Sequence, residues 1–448
     1  MKYVYFLLCC VLFTRLSAQN GTHPVTLAEA LDLALNNSAQ LRKAKIDREG
    51  FEMRLREGRS AAYPQVNAGV NFDAIPVLPT QLMPGDIVGR TDGSFVPVQF
   101  GRPWQLGGAV TVDQMIYSEA GRRAVPATNV SRSLYDLLIE KAEEDIIFQT
   151  ASIFYQLLQA EEALRTVDAN LYKINELERM LQLQVANDYA VPTDVKRLRV
   201  AKNNLNNQKQ NLLTGIAALR QTLQFICGVP YDAPFDPVLE ELDAPGADSA
   251  QWLNMAIAPE NVTEHRLLLH NIELNRIRIN SLRAEGYPSL SGYANLGFQT
   301  WRDDANFLAQ GNRWYGMAAL GLRLKIPVFD GFKRRNQIGL LRLDNQKLEE
   351  DRRQLTAAKE LEFRQARDQL RNSLYALQTT EENVRLAREI SETVSLPYRE
   401  GTAPLSDVLN AQTALAEAET SYGQQVYSYR IAVLKLLKAS DQLNQLRK

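Results

Sequence analysis

Few side chains in this sequence are spaced for chemistry. Its histidines are His23, His265 and His270. His265 and His270 stand five apart, which on a helix separates their faces, unlike the four-residue spacing of helical zinc pairs. Cys9 and Cys10 lie in an apolar N-terminal stretch, so behind it Cys227 stands alone and has no disulfide partner. There is no G-x-S-x-G, no P-loop and no C-x-x-C. Asp and Glu are plentiful but fall on helix faces expected to be solvated. The expectation is no catalysis, no cofactor and no metal.

The polar residues that do stand out sit in two related breaks in long runs of helix formers. One reads Y-R-E-G-T-A-P-L-S-D-V-L-N-A-Q, Tyr398 to Gln412. A weaker version, A-N-D-Y-A-V-P-T-D-V, runs from Ala186 to Val195. Gly401 suits the left-handed backbone that ends a helix. Ser406 or Asp407 is suited to cap a returning helix, with Thr193 or Asp194 equivalent. Each break then reads as the turn of a helical hairpin, which accounts for Gly401 and Asp407 with no further role.

The elements that position these turns repeat. A-A-Y-P-Q-V-N-A-G-V (Ala61–Val70) is answered by E-G-Y-P-S-L-S-G-Y-A (Glu285–Ala294), and I-Y-S-E-A-G-R-R (Ile116–Arg123) by V-F-D-G-F-K-R-R (Val328–Arg335). With the two Asp-Val pairs, three landmarks recur in one order, the mark of an internal duplication. The expected organisation is a signal peptide over 1–18, a first repeat over 19–228, a linker over 229–250 and a second repeat over 251–448.

Each repeat opens with a helix; in the first, Thr26 and Glu29 are spaced as a capping box. Tyr-Pro ends it, because proline pushes the preceding residue towards extended geometry. Strict alternation follows. Val66, Ala68, Val70 and Phe72 take one face and Gln65, Asn67, Asn71 and Asp73 the other. Leu290, Ala294, Leu296 and Phe298 oppose Ser289, Ser291, Asn295 and Gln299 in the same way. Returning strands put Leu106, Val110 and Val112 on one face, and Leu320, Leu322, Leu324 and Ile326 opposite Arg323 and Lys325. Four strands are expected, near 65–75, 104–117, 289–300 and 314–327, with a loop from Pro76 to Pro103. Trp104, Trp301, Trp314 and Tyr315 mark strand ends, which suits a membrane interface and equally an ordinary half-buried hairpin.

Helical hairpins are expected over 119–226 and 330–438. Pro126 is the only proline between Glu119 and Gln184, and there is none from Lys333 to Leu396. At 1.5 Å per residue the second run reaches roughly 100 Å, too long for a globular core. Ile153, Leu157, Ala160, Leu164, Val167, Leu171, Ile174 and Leu181 keep heptad spacing, with Glu178 the one polar intruder. V-P-Y-D-A-P-F-D-P (Val229–Pro237) reads as an extended linker beside the helices.

The 448 residues carry 51 Lys plus Arg against 52 Asp plus Glu, a formal charge of −1 that gives no reason to expect a nucleic-acid partner. Lys2, the apolar run Tyr3–Phe13 and Leu16-Ser17-Ala18 form a secretory signal pattern. Loss of Lys2 and Arg15 takes the charge to −3. Elsewhere no 20-residue apolar run occurs. Four strands cannot close a barrel, and an open edge is not tolerated in lipid, so strands of this kind in a membrane demand several copies of the chain. A polar inner face favours twelve strands from three copies over eight from two.

Behind its N-terminal stretch, the chain resembles the TolC-type outer-membrane efflux proteins over essentially its whole length. The two Tyr-Pro strand starts, the two strand-to-helix motifs and above all Y-R-E-G-T-A-P-L-S-D-V-L-N-A-Q followed by T-A-L-A-E-A-E carry the resemblance. It implies a mainly α fold with a two-fold internal repeat, four β-strands per chain in a shared twelve-stranded trimeric barrel, and a twelve-helix periplasmic tunnel. It implies a homotrimeric channel, not an enzyme, in the outer membrane and reaching into the periplasm, in contact with outer-membrane lipid. It implies docking by a periplasmic adaptor (membrane fusion) protein and an inner-membrane pump of RND, ABC or MFS type, in efflux or type I secretion. The alternative is a soluble periplasmic coiled-coil scaffold or adaptor without a pore.

The same resemblance makes Tyr398, Gly401, Asp407, Asp194 and Asn410 the periplasmic gate. Asp188, Val191, Thr193, Thr402, Ala403, Pro404 and Leu405 become the adaptor-docking tips, and Asn67, Asn71, Asp73, Arg323 and Lys325 line the barrel lumen. Tyr398 would donate a hydrogen bond to a carboxylate of the neighbouring hairpin. The chain departs from the family pattern at Ala403, where relatives place Arg, at Asn410, where they place a second acid, and at Asp188, where they place Gly. Lys196, Arg197 and Arg399 are the nearby substitutes for the missing charge.

Overall fold

A computed structural model describes residues 24–89, 93–187, 191–238, 249–307, 311, 313–400, 402 and 404–447. The signal-peptide segment, Asp188, Gly401, Ala403 and residues 239–248 of the linker lie outside the described residues, as does the side chain of Arg399. The chain divides into two compact units. One comprises residues up to 46 with 135–268 and 350–448; the other comprises 47–134 and 269–349.

The second unit is built on a sheet. Strands β2 (Gln65–Ala74), β5 (Trp104–Tyr117), β7 (Ser289–Arg302) and β8 (Tyr315–Lys325) pair antiparallel in the order β2-β5-β7-β8. Each repeat supplies one hairpin, and the two join where β5 pairs β7, with Val110 opposite Leu296 and Thr111 opposite Asn295. A register shift between Met115 and Tyr117 bends the end of β5. Strands β2 and β8 are open edges. Near one end of the sheet, Phe72 stacks on Trp104 and Trp301 meets Tyr315.

The stretch from Pro76 to Pro103, expected as a loop, carries a second hairpin. Strand β3 (Thr80–Pro84) pairs antiparallel with β4 (Phe95–Gln99). Pro97 hid it, because proline argues against a central strand; in a two-stranded ribbon it needs no ladder donor on its outer side.

The other unit is helical. It holds β1 (Pro24–Val25), α1 (Leu27–Asn37) and the start of α2 (Ala39–Ser60). After the short α3 (Glu119–Ala124) in the sheet unit, α4 (Ala127–Ala186) and α5 (Pro192–Cys227) form the first helical hairpin. After β6 (Asp236–Pro237), α6 (Ser249–Leu253) and α7 (Thr263–Ala284), helices α8 (Lys333–Arg399) and α9 (Leu405–Ala439) form the second. At 1.5 Å per residue α4 and α8 are about 90 and 100 Å long.

Helix α1 begins with the capping box: Glu29 N–H donates to Thr26 Oγ1 at 3.2 Å and Thr26 N–H to Glu29 Oε2 at 3.0 Å. Its apolar stripe, Ala30, Leu31 and Ala34, is fully buried against Ile147 and Phe154 of α4, Leu223 of α5 and Leu437 of α9. A fully buried leucine such as Leu31 contributes about 1.5–3 kcal/mol, and each alanine about 0.8 kcal/mol. On α4, Leu157, Val167, Leu171, Ile174 and Leu181 are buried, in line with the heptad. The intruder Glu178 is held by Lys202 Nζ of α5 at 2.7 Å. Helix α5 ends at Gly228 in left-handed geometry (φ 66°), where a Cβ would stand 2.5 Å from the Cβ of Asn37. Asn37 Nδ2 donates to Cys227 O at 2.8 Å, so the helix end is pinned by this approach. The linker joins in too: β6 runs parallel to β1. Among the described residues no helix is long and apolar enough to cross a membrane, and no group of His, Cys, Asp or Glu could hold a metal ion.

Candidate functional site

Two regions carry the candidate residues: one face of the sheet and the ends of the helical hairpins.

Register decides which side chains share a sheet face. Asn67 lies opposite Thr111, Thr111 opposite Asn295, and Asn295 opposite Ala319, so all four project together. Period-two alternation adds Asn71 and Asp73 on β2, and Arg323 and Lys325 on β8. All five lumen candidates therefore lie on one face. Asn67, Asn71 and Asp73 line a cleft of about 410 Å³ with Gln105, Thr111 and Gln299. Arg323 lies over the ring of Tyr293, 5.0 Å from its centroid, with its guanidinium 3.8 Å from Asp113. Tyr293 in turn covers Gly321, where a Cβ would approach the ring to 2.7 Å. Glycine is required there so that the tyrosine can lie flat on the strand. The Tyr293 stack escaped the sequence reading, since nothing local marks a pair on neighbouring strands.

The other face is apolar and bare. Val66, Val70, Leu320, Leu322 and Leu324 are 63, 74, 88, 70 and 60% exposed. Water disfavours a continuous apolar surface of this kind.

At the hairpin ends, Asp194 and Asp407 sit one turn inside their helices rather than at the caps. The N-caps are Val191 and Pro404, and neither has a capping side chain. Pro192, at the first helical position, starts α5 early, since its missing N–H is one that a helix start leaves unpaired. Leu405 opens α9 in the same register. Each aspartate is thus the third helical residue, where a negative charge meets the positive end of the helix dipole. Asp194 pairs with Arg197 at 3.4 Å. Ser406 donates to Asp407 Oδ1 at 3.3 Å.

Tyr398 is buried in a cluster with Ile174, Leu177, Leu181, Leu198, Leu405 and Val408, drawn from both hairpins. Its hydroxyl donates to Gln184 Oε1 at 3.2 Å. The acceptor is therefore an amide, not the expected carboxylate. Burial, then the nearby charge of Asp194, raises the Tyr398 pKa above that of an ordinary phenol, so it remains a donor. Gln184 was missed, although the repeat sets the neighbouring Val185 opposite Tyr398. Val191, Thr193, Thr402, Pro404 and Asn410 are exposed, whereas Leu405 is buried in the cluster. Thr402 is tied to the end of α8 through Pro397 O.

No catalytic constellation forms among the described residues. His265 is buried with Nδ1 3.2 Å from Glu260 O. Cys227 is buried and its thiol is pushed up to about 12 by burial.

Comparison with known proteins agrees with this geometry. Residues 267–440 match the family described as outer membrane efflux protein. The chain is 21% identical to outer membrane protein TolC of Escherichia coli over 444 residues, covering 94% of this chain and 83% of that protein. It is 20% identical to the proteases secretion protein PrtF of Dickeya chrysanthemi, covering 68% of this chain and 64% of that one. The crystal structure of outer membrane protein VceC from Vibrio cholerae superposes with a TM-score of 0.69 at 16% identity, covering 92% of this chain and 95% of that chain.

Proposed function

We propose that this chain, a member of the TolC-type outer-membrane efflux proteins, is the outer-membrane exit duct of an efflux or secretion apparatus. It is a passive conduit and not an enzyme. Three copies close one twelve-stranded barrel in the outer membrane, and their helical hairpins extend into the periplasm.

The observation that carries this reading is the four-stranded sheet, apolar on one face, polar on the other and unpaired at β2 and β8. In lipid, every strand edge must be paired, so β8 of one copy meets β2 of the next. The exposed row of Val66, Val70, Leu320 and Leu322 then faces acyl chains, and Asn67, Asn71, Asp73, Arg323 and Lys325 face water. The same row counts against a soluble periplasmic scaffold, which would leave it bare.

The hairpin ends form the gate. Tyr398 and Gln184 link the two hairpins of one chain, and Asp194 and Asp407 set the charge at the helix starts. With Ala403 and Asn410 in place of charged residues, the closed state rests on this hydrogen bond and its apolar cluster more than on ion pairs. An adaptor protein docks on Val191, Thr193, Thr402 and Pro404; the other docking candidates, Asp188 and Ala403, and the gate candidate Gly401 lie outside the described residues. An inner-membrane pump supplies the cargo.

Fractionation tests the placement. The protein is expected in outer-membrane fractions as a heat-modifiable oligomer; release by osmotic shock as a soluble monomer would contradict it.

A further inference from the structure

The two strand-to-helix junctions are equivalent by sequence but not by charge. In the first, Glu119 accepts hydrogen bonds from Arg122 Nε and Nη2, both at 2.8 Å, from Arg123 Nε at 2.7 Å and from Tyr117 Oη at 3.0 Å. The Arg122 and Arg123 bonds hold its carboxyl well down, at about 2. One carboxylate thereby engages both arginines and leaves a single net positive charge.

The duplication sets I-Y-S-E-A-G-R-R against V-F-D-G-F-K-R-R, so Gly331 replaces Glu119 while Arg334 and Arg335 replace Arg122 and Arg123. Arg334 is answered by Asp330, whose Oδ2 accepts its Nε at 2.6 Å and its backbone N–H at 3.2 Å. Arg335 has no acid left, and among the described residues it has no partner. One turn and then a second along α8, Ile338 and Arg342 follow on the same face, since i, i+3 and i+7 align on a helix. Arg342 is also unpartnered among the described residues. Across from them Arg283 of α7 has only the neutral Asn280 Oδ1, at 3.3 Å.

These residues line a cleft of about 460 Å³ in which the one acid, Asp330, is already engaged. Three guanidinium groups thus face it without a counter-charge. Its remaining wall is apolar and open. Val328 and Phe329 are 91 and 73% exposed, and Phe332 lies edge-on to Phe329 with ring centroids 5.5 Å apart. Val328 and Phe329 follow just beyond the end of β8, whose exposed apolar row is Leu320, Leu322 and Leu324. The cleft therefore lies just past the end of the edge strand β8.

We propose that this cleft is a binding site for one anionic phospholipid of the periplasmic leaflet. Arg283, Arg335 and Arg342 hold the phosphate and headgroup, and Val328 and Phe329 receive the start of an acyl chain. Arginine suits the task, because its planar fork matches phosphate oxygens two at a time. A free phosphate would use the arginines but not the phenylalanines. The first junction offers no such site, because Glu119 occupies its cations. The inference rests on the membrane placement proposed above.

The test is native mass spectrometry of the full protein reconstituted in nanodiscs of equal phosphatidylglycerol and phosphatidylcholine. Retention of about one phosphatidylglycerol per chain is expected, with phosphatidylcholine far rarer. Each arginine removed should lower retention roughly five-fold, as expected for one basic side chain at an anionic lipid surface. Arg335→Gln and Arg342→Gln are exposed substitutions that leave the core untouched, and Arg353→Gln, farther along the same helix, should change nothing. Millimolar inorganic phosphate should not displace the lipid. Equal retention of both lipids, unchanged retention in Arg335→Gln and Arg342→Gln, or displacement by phosphate would each overturn the site. Failure to enter nanodiscs of any composition would instead overturn the membrane placement, and the site with it.

Discussion

The hydroxyl of Tyr398, near the end of α8, donates to the side-chain oxygen of Gln184, near the end of α4, at 3.2 Å. The two residues belong to different repeats, so the bond ties one hairpin to the other where both turn back. Tyr398→Phe removes the bond and keeps the ring in its cluster. The cost to the closed arrangement is about 1 kcal/mol, the net worth of one neutral hydrogen bond. Single-channel recording should show more frequent or larger openings. An unchanged trace would remove this bond from the gate.

Charge at the helix starts makes a second expectation. Asp407 is the third residue of α9, where its carboxylate interacts with the helix N-terminus for about 0.3–1 kcal/mol at low salt. Asp407→Asn should weaken the tip by that order and the loss should fade at high ionic strength. Hydrogen exchange of the first turn of α9 would read it. Equal exchange in variant and parent at low salt would show that the charge has no such part.

A pH effect follows from Glu144 on α4. Burial and the adjoining carboxyl of Asp441 raise its pKa to about 8, and Thr263 Oγ1 donates to its Oε1 at 2.7 Å. Lys141, whose Nζ is 3.9 Å from Oε2, offsets part of the shift. In the unfolded chain Glu144 titrates near its ordinary value, so between there and about 8 the folded state binds more protons. Stability from this group is complete at low pH and is lost as pH rises through about 8. Glu144→Gln should melt like the parent near pH 5 and be more stable near pH 9, by about 1 kcal/mol or more. A parallel pair of melting curves at all pH values would contradict the assignment.

Gly228 provides a packing prediction. Its left-handed backbone alone makes alanine cost about 1 kcal/mol, and the 2.5 Å approach to Asn37 adds to that. Gly228→Ala should lower the melting temperature by several degrees, whereas Gly215→Ala, with open space around it, should not. A similar change in both would mean that the close approach is not a constraint.

Much of this architecture was legible because it rests on periodicity. Alternation at Val66 to Phe72 and at Leu320 to Ile326 marks strands with one apolar face, and the heptad from Ile153 to Leu181 marks a helix seam. Thr26 and Glu29 announced a helix start because both partners lie within one turn. What stayed hidden depends on neighbours distant in sequence. Tyr398 and Gln184 are 214 residues apart, and the stack of Arg323 on Tyr293 needs the register of β7 with β8. Pro97 concealed β4, and Pro192 and Pro404 moved the helix starts ahead of the residues best suited to cap them.

The central claim is that the unpaired edges of the β2-β5-β7-β8 sheet are closed by other copies into a membrane pore. The most direct measurement is ion current through a planar lipid bilayer after adding the purified full-length protein. The account predicts discrete, uniform conductance steps from a trimeric particle, enlarged or prolonged by Tyr398→Phe. A protein that leaves the bilayer silent while remaining monomeric in water would contradict it.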